Sequence, residues 1–89
     1  MGKAFARWPM KLVRLLWQDA HACAETWCDP GELDPEPVVV DSVGWLIEGG
    51  KPDHVVICQS LADTGMVDHV LAVPAGMVVR LIEVPTPPL

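Results

Sequence analysis

The chain has 89 residues, 51% of them hydrophobic, with 12 acidic residues against six basic ones and a net charge of −6. This describes one domain near the lower size limit for a core without metal or disulfide support, and its Leu, Ile, Val and Trp content excludes intrinsic disorder. No apolar run reaches the roughly 20 residues that span a bilayer.

The charge is unevenly divided. Residues 1–14 carry Lys3, Arg7, Lys11 and Arg14 and no acid, whereas residues 15–89 hold all 12 acidic residues against Lys51 and Arg80. An acidic body repels nucleic-acid phosphates, so non-specific DNA or RNA binding is not expected of it. The basic arm remains free to meet a phosphate or an acidic partner, and the charge as a whole serves solubility.

Residues 1–10 are expected to form a basic extension. Gly2, Pro9 and scattered aromatic residues set up no sustained period, and Met10, just before the first strand, is a candidate for an alternative start. There is no unbroken apolar segment and no small-residue cleavage site of a secretory signal, so the expected compartment is a reducing cytoplasm.

Lys11–Asp19 reads as a strand or a helix. Val13, Leu15 and Trp17 alternate with Leu12, Arg14 and Leu16, while Leu12, Leu15, Leu16 and Asp19 also fit a helical stripe. Strand is favoured because Val13 and Trp17 suit a sheet and the rest of the chain is β. Residues 20–37 are irregular. AHACAETW has room for two turns of helix, but Pro30, Gly31, Pro35 and Pro37 forbid continuous structure beyond it. Long loops in small domains are often functional.

From Val38 onwards the pattern is clearer. VVVDSVGWLIE (38–48), HVVICQSL (54–61), MVDHVLAV (66–73) and MVVRLIEV (77–84) are rich in β-branched residues and joined by GGKPD, ADTG and VPAG turns. Connections this short exclude crossover helices and predict an antiparallel meander. Gly44, inside the longest strand, is the mark of a bulge or sharp bend. With 11–19 the strands number five in a single domain over 11–84, followed by a Pro-rich tail at 85–89. The expected core is Val13, Leu15, Trp17, Val40, Trp45, Ile47, Val56, Leu71, Val73, Val79 and Leu81.

A strand–loop region, a strand bent at a glycine, two further strands, a one-turn VPAG connection and a short last strand resemble the small SH3-like barrels. The Gly44 bend and VPAG connection are similar to the Sm-like branch of that family. The chain also resembles small uncharacterised bacteriophage proteins in its W-x-D (Trp17–Asp19), VGWLIE and ICQS segments, over roughly residues 11–84. The resemblance implies an all-β, strongly bent five-stranded barrel with at most one short helix in 20–33. It also implies homo-oligomeric rings made by pairing the open edges of the fourth and fifth strands. Sm-like RNA binders carry an arginine-containing loop at the pore. Here that turn is VPAG, without arginine, which ranks RNA binding as an alternative below a protein or small-molecule ligand.

Chemistry-bearing residues are few. His21, Cys23 and Cys28 offer three zinc ligands, with Cys58, His54 or His69 as a fourth, but the spacing departs from the paired C-x2–4-C arms of zinc sites. Three cysteines do not make a disulfide framework, and Cys58, between Ile57 and Gln59, reads as a small core residue. His54 and His69, on successive strands, are placed to face each other across a ladder. Asp41, Ser42, Asp63 and Thr64 lack a nucleophile elbow, and Gly49-Gly50-Lys51-Pro52 lacks P-loop spacing. No catalytic residue or cofactor is expected. Among four tryptophans, Trp17 and Trp45 are expected in the core, and Trp8 and Trp27, in irregular segments, at an interface. The expectation is a non-enzymatic binding or assembly module. A zinc- or thiol-dependent site in the His21–Cys28 loop is the alternative.

Overall fold

A computed structural model describes residues 10–20, 27–33 and 36–87. They form β1 (Leu12–Asp19), β2 (Val38–Leu46), β3 (His54–Leu61), β4 (Val67–Pro74) and β5 (Val78–Glu83), with 3-10 turns at Pro30–Glu32 and Ala75–Met77. The protein is all-β, its five strands antiparallel in one sheet of order β4-β3-β2-β1-β5. The described part of 20–33 holds only the Pro30–Glu32 turn, in which the Asp29 side chain accepts from the Gly31 N–H at 3.0 Å.

The strand-or-helix ambiguity at Lys11–Asp19 resolves as strand because β1 is the centre of the sheet's first half. It pairs with β2 from Leu12↔Trp45 to Asp19↔Val38 and with β5 from Val13↔Glu83 to Trp17↔Val78. Both sides of its backbone are thereby hydrogen-bonded, which a helix of the same residues would leave undone for β2 and β5.

β2 then changes partner. It runs alongside β1 over its whole length but meets β3 only at Trp45↔Cys58 and Leu46↔Ile57, with Ile47 N–H donating to the Val56 carbonyl at 2.8 Å. Gly44 sits at this change. A methyl group there would stand 2.7 Å from the Cys58 carbonyl oxygen and 3.2 Å from the Ile57 Cβ, so only glycine lets the two backbones approach.

Val13 and Leu15 of β1 cluster with Ile57 of β3 and Val73 of β4, and Trp17, Leu46, Val55, Leu71, Met77 and Val78 pack around them. No second layer of structure covers this face among the described residues. With no such layer, burial of these four side chains from β1, β3 and β4 against one another requires the sheet to bend across β2. Closure stops there: β4 pairs only with β3 and β5 only with β1, so the hydrogen-bonded ladder stays open between β4 and β5.

β3 breaks the alternation of a half-buried strand, with Val56, Ile57 and Cys58 buried in succession. Ile57 belongs to the core face, and the other face of β3 is covered locally: the turn at Gly50 packs on Ile47 and Val56. Ile57 is therefore core although its alternation with Val56 hides it. Two expected core residues are exposed. Leu81 lies opposite Leu15 on the core face but is 41% exposed, because β5 has no neighbour beyond it. Val79 is 53% exposed, the extra residue of a bulge where the partners of Leu16 and Trp17 step from Arg80 to Val78. Trp17, Val40, Trp45, Ile47 and Leu71 are half-buried, and Trp45, opposite Leu12, faces away from the Val13–Leu15 cluster.

Gly44→Ala should destabilise the protein by about 1–3 kcal/mol, as overpacking against a backbone that cannot retreat. Leu15→Ala should cost about 2–5 kcal/mol, and Leu81→Ala roughly half of that, in keeping with its partial burial. Urea midpoints for the three variants check the order. Equal losses for Leu15 and Leu81 would contradict the open edge at β5.

Candidate interaction surface

The two sheet edges are the first feature that a partner can use. An edge strand turns a row of backbone N–H and C=O groups outward, which is a template for another strand. β4 and β5 are those edges, and the 3-10 turn Ala75–Met77 joins one directly to the other. That turn is fastened from outside, the Ala75 N–H donating to the Asp53 carbonyl at 2.8 Å. Exposed large apolar side chains follow both edges: Met66 and Val70 at β4, Val79 and Leu81 on β5.

Each edge also carries an irregularity. β5 has the Val79 bulge. On β4, His69 adopts a left-handed backbone with φ of 48°, between Val70, opposite Cys58, and Asp68, opposite Ser60. Its Nδ1 lies 3.2 Å from an Asp68 carboxylate oxygen, both side chains being well exposed. These features limit pairing to partners that accommodate them.

The second feature is the outer face of β5, β1 and β2, opposite the core. Register places Leu12, Arg14 and Leu16 of β1 there, beside Val43 and Asp41 of β2 and Ile82 of β5. Arg14 reaches diagonally to Asp41 through two nitrogens. Its Nε donates to both carboxylate oxygens at 2.9 and 3.0 Å, and one Nη donates at 2.6 Å. The hydrogen bonds from the guanidinium hold the Asp41 carboxyl below the ordinary aspartate range, and the same contact raises Arg14. The pair is exposed, and it anchors charge on a face that is otherwise largely apolar.

The residues singled out in the sequence are dispersed. His21, Cys23 and Trp8 lie outside the described residues. Cys28 and Trp27 are exposed in the loop before β2, and Cys58 is buried in β3, so the structure does not bring Cys28 and Cys58 together. Among the described residues no group of three His, Cys, Asp or Glu side chains is placed to hold a metal. The two histidines do not face each other, because His54 is opposite Pro74. The His54 Nδ1–H instead donates to the Pro52 carbonyl at 2.7 Å, which ties it to its own turn. Asp41 is engaged by Arg14, and the Ser42 hydroxyl accepts from the Trp17 indole N–H at 3.1 Å, so neither is presented as part of a nucleophilic set.

The Arg14–Asp41 pair was not legible beforehand, since it depends on the diagonal of a register that the sequence does not print. No helix of the described residues is long and apolar enough to cross a membrane. Compared with protein-family models, curated proteins and solved structures, the chain finds no match.

Two measurements follow from this surface. Burial first, and then the charge of Asp68, push the Cys58 thiol above its ordinary range, so native protein should alkylate at Cys28 well before Cys58, as read by peptide mapping. By carboxyl NMR Asp41 should titrate below the ordinary aspartate range and return to that range in Arg14→Gln. Because its folded pKa is depressed, its contribution to stability is present above the ordinary aspartate range and is lost as pH falls through the folded value.

Proposed function

We propose that this chain is a non-enzymatic assembly module, an SH3-like barrel of the Sm-like kind that completes itself by pairing the β4 edge of one copy with the β5 edge of the next. The observation that carries the reading is the open ladder between β4 and β5, lined on both sides by Met66, Val70, Val79 and Leu81. The two edges differ in sequence and irregularity, so such a contact is head-to-tail. Head-to-tail contacts generate rings when the rotation between neighbours closes.

Physical motives agree with this. A chain of 89 residues has a small core, and only six hydrophobic residues are buried among those described. Pairing the edges would satisfy outward backbone groups and cover the half-exposed Leu81, which already lies on the core face. A ring of about five to seven subunits is taken from the Sm-like resemblance and is consistent with closure by rotation. The acidic body makes the ring a platform for a protein or a small molecule before a nucleic acid. Cys28 and Cys58, both free thiols, accord with a reducing cytoplasm, in a bacterial host if the chain is phage-encoded.

Light scattering at micromolar concentration should report a mass about five to seven times the 9.7 kDa chain. Val70→Lys and Val79→Lys should each lower that mass towards the single chain while the far-UV spectrum stays β. A 9.7 kDa particle from the unaltered protein would overturn the assembly. Tight, salt-sensitive binding of single-stranded RNA would overturn the ranking of ligands and leave the ring intact.

A further inference from the structure

The outer face of β5, β1 and β2 is apolar beyond what a solvent-facing sheet needs, and it is distinct from the two edges. An antiparallel sheet with one face on the core normally alternates apolar-in with polar-out. Here Val39 and Val43 are 58% and 60% exposed, and the half-buried Leu12, Leu16, Trp45 and Ile82 continue the patch. Its charged members within the three strands are Arg14, Arg80 and Asp41, so the face carries 2 − 1 = +1 on a chain of −6. A second copy therefore meets less repulsion here than over the rest of an acidic surface.

The order of side chains across the strands points to the same occupant. From β5 through β1 to β2 the rows are Val84–Leu12–Trp45, Ile82–Arg14–Val43 and Arg80–Leu16–Asp41. Val84 follows β5 directly, its N–H donating to the Leu12 carbonyl at 2.8 Å. Each row complements its own reverse. Reversal about β1 sets Val84 on Trp45 and Ile82 on Val43, apolar on apolar, and it sets Arg80 on Asp41, cation on anion. Leu12 and Leu16 meet their own counterparts. Arg14 lies on the same line, but its three hydrogen bonds turn it aside to Asp41. Arg80 forms no ion pair among the described residues, and the Asp41 carboxylate has lone pairs for a second cation.

We infer that a second copy packs face to face on the outer face of β5, β1 and β2, about a two-fold axis that runs along β1 and sets Arg80 of each copy on Asp41 of the other. A two-fold lying in the contact plane along β1 keeps every row at its own height and reverses its order, which is the operation these rows require. The two sheets then stack as an aligned sandwich. β1 and β2 are eight and nine residues long. Three strands of that length offer a footprint of about 14 by 26 Å, at the low end of specific interfaces. The contact is accordingly modest in affinity, and the ion pairs set its register more than its strength. It uses neither edge, so it holds whether or not β4 and β5 pair between copies.

Cross-linking tests it on the full chain. Gln18 is exposed on β1, two residues beyond Leu16 on the same face and therefore on the axis. In a background of Cys23→Ser and Cys28→Ser, Gln18→Cys stands beside only the buried Cys58. A short bis-maleimide should then give a covalent dimer joined through position 18 of both copies. It should form several-fold faster than the dimer of Asp63→Cys, placed in the turn between β3 and β4. Adding Arg80→Glu should slow the link several-fold, and so should adding Asp41→Lys, because each sets like charges together on both sides of the axis. An equal mixture of these two variants should restore most of the rate, since every pair across the axis is then opposite in sign. The rate should survive Val70→Lys, which blocks the β4 edge. A rate no faster than that of Asp63→Cys, a mixture no faster than its components, or loss of the link in Val70→Lys would each overturn the inference.

Discussion

The close approach of Gly44 to the Cys58 carbonyl is the constraint on which the rest of this structure depends. A strand that followed β1 with ordinary side chains throughout could not let β3 lie at that distance, because a methyl group at position 44 would stand 2.7 Å from a backbone oxygen. The glycine allows β2 to serve two neighbours in turn, first β1 and then β3. Since these neighbours lie on opposite sides of β2, the sheet has a first half of β5, β1 and β2 and a second of β2, β3 and β4. The bend faces one half towards the other. Without it Val13 and Leu15 would have no partner layer, and a five-stranded sheet of this size would have one wet apolar face.

The same bend decides what stays uncovered. A core centred on Val13, Leu15, Ile57 and Val73 sits where the two halves meet, so burial falls away towards the strands farthest from the bend. Those strands are β4 and β5, the ends of the sheet order. Leu81 illustrates the gradient: it shares the face of Leu15 and the register of its neighbour, yet lacks a strand on its far side. The exposed edges and the small core are thus one fact seen from two places. A domain near the lower size limit has little apolar area to spare for covering its own margins.

The positions of the strands were legible because each is a β-branched run closed by a turn whose residues have a local reason to turn. Gly49 and Gly65 occupy positive φ, as GGKPD and ADTG suggested, and the VPAG segment tightens into a single 3-10 turn. Gly44 was legible as a special position in its strand, and what it provides is the close approach of β2 to the Cys58 carbonyl of β3. Depth was harder to read. Alternation predicts which residues share a face but not whether that face has a neighbour, so it marks Val79 and Leu81 as core although the core does not extend to them. Alternation also hides Ile57, since it cannot foresee a turn folding back onto the second face of β3. Pairs across strands were the least legible. The expected meeting of His54 and His69 fails and the unforeseen Arg14–Asp41 pair forms for one reason: both depend on register, to which a shift of a single residue is decisive.

Charge sets the conditions under which exposed apolar surface of this kind is tolerable. Each copy carries a net charge of −6, so bringing copies together raises the density of like charge and opposes association. That repulsion acts between whole surfaces and weakens over a Debye length of about 8 Å at physiological salt. Burial of apolar side chains acts only on contact and is not screened. The balance keeps two copies apart in any arrangement that gains little apolar contact, and it yields only where apolar surface is continuous. On this molecule such surface lies along β4 and β5 and on the outer face of β1 and β2. Arg80 of β5 continues that face, where a cation reduces the local repulsion of an acidic chain. In the proposed assembly the excess of acid would act as a filter on association, opposing contacts elsewhere and leaving the apolar margins as the surfaces for another copy.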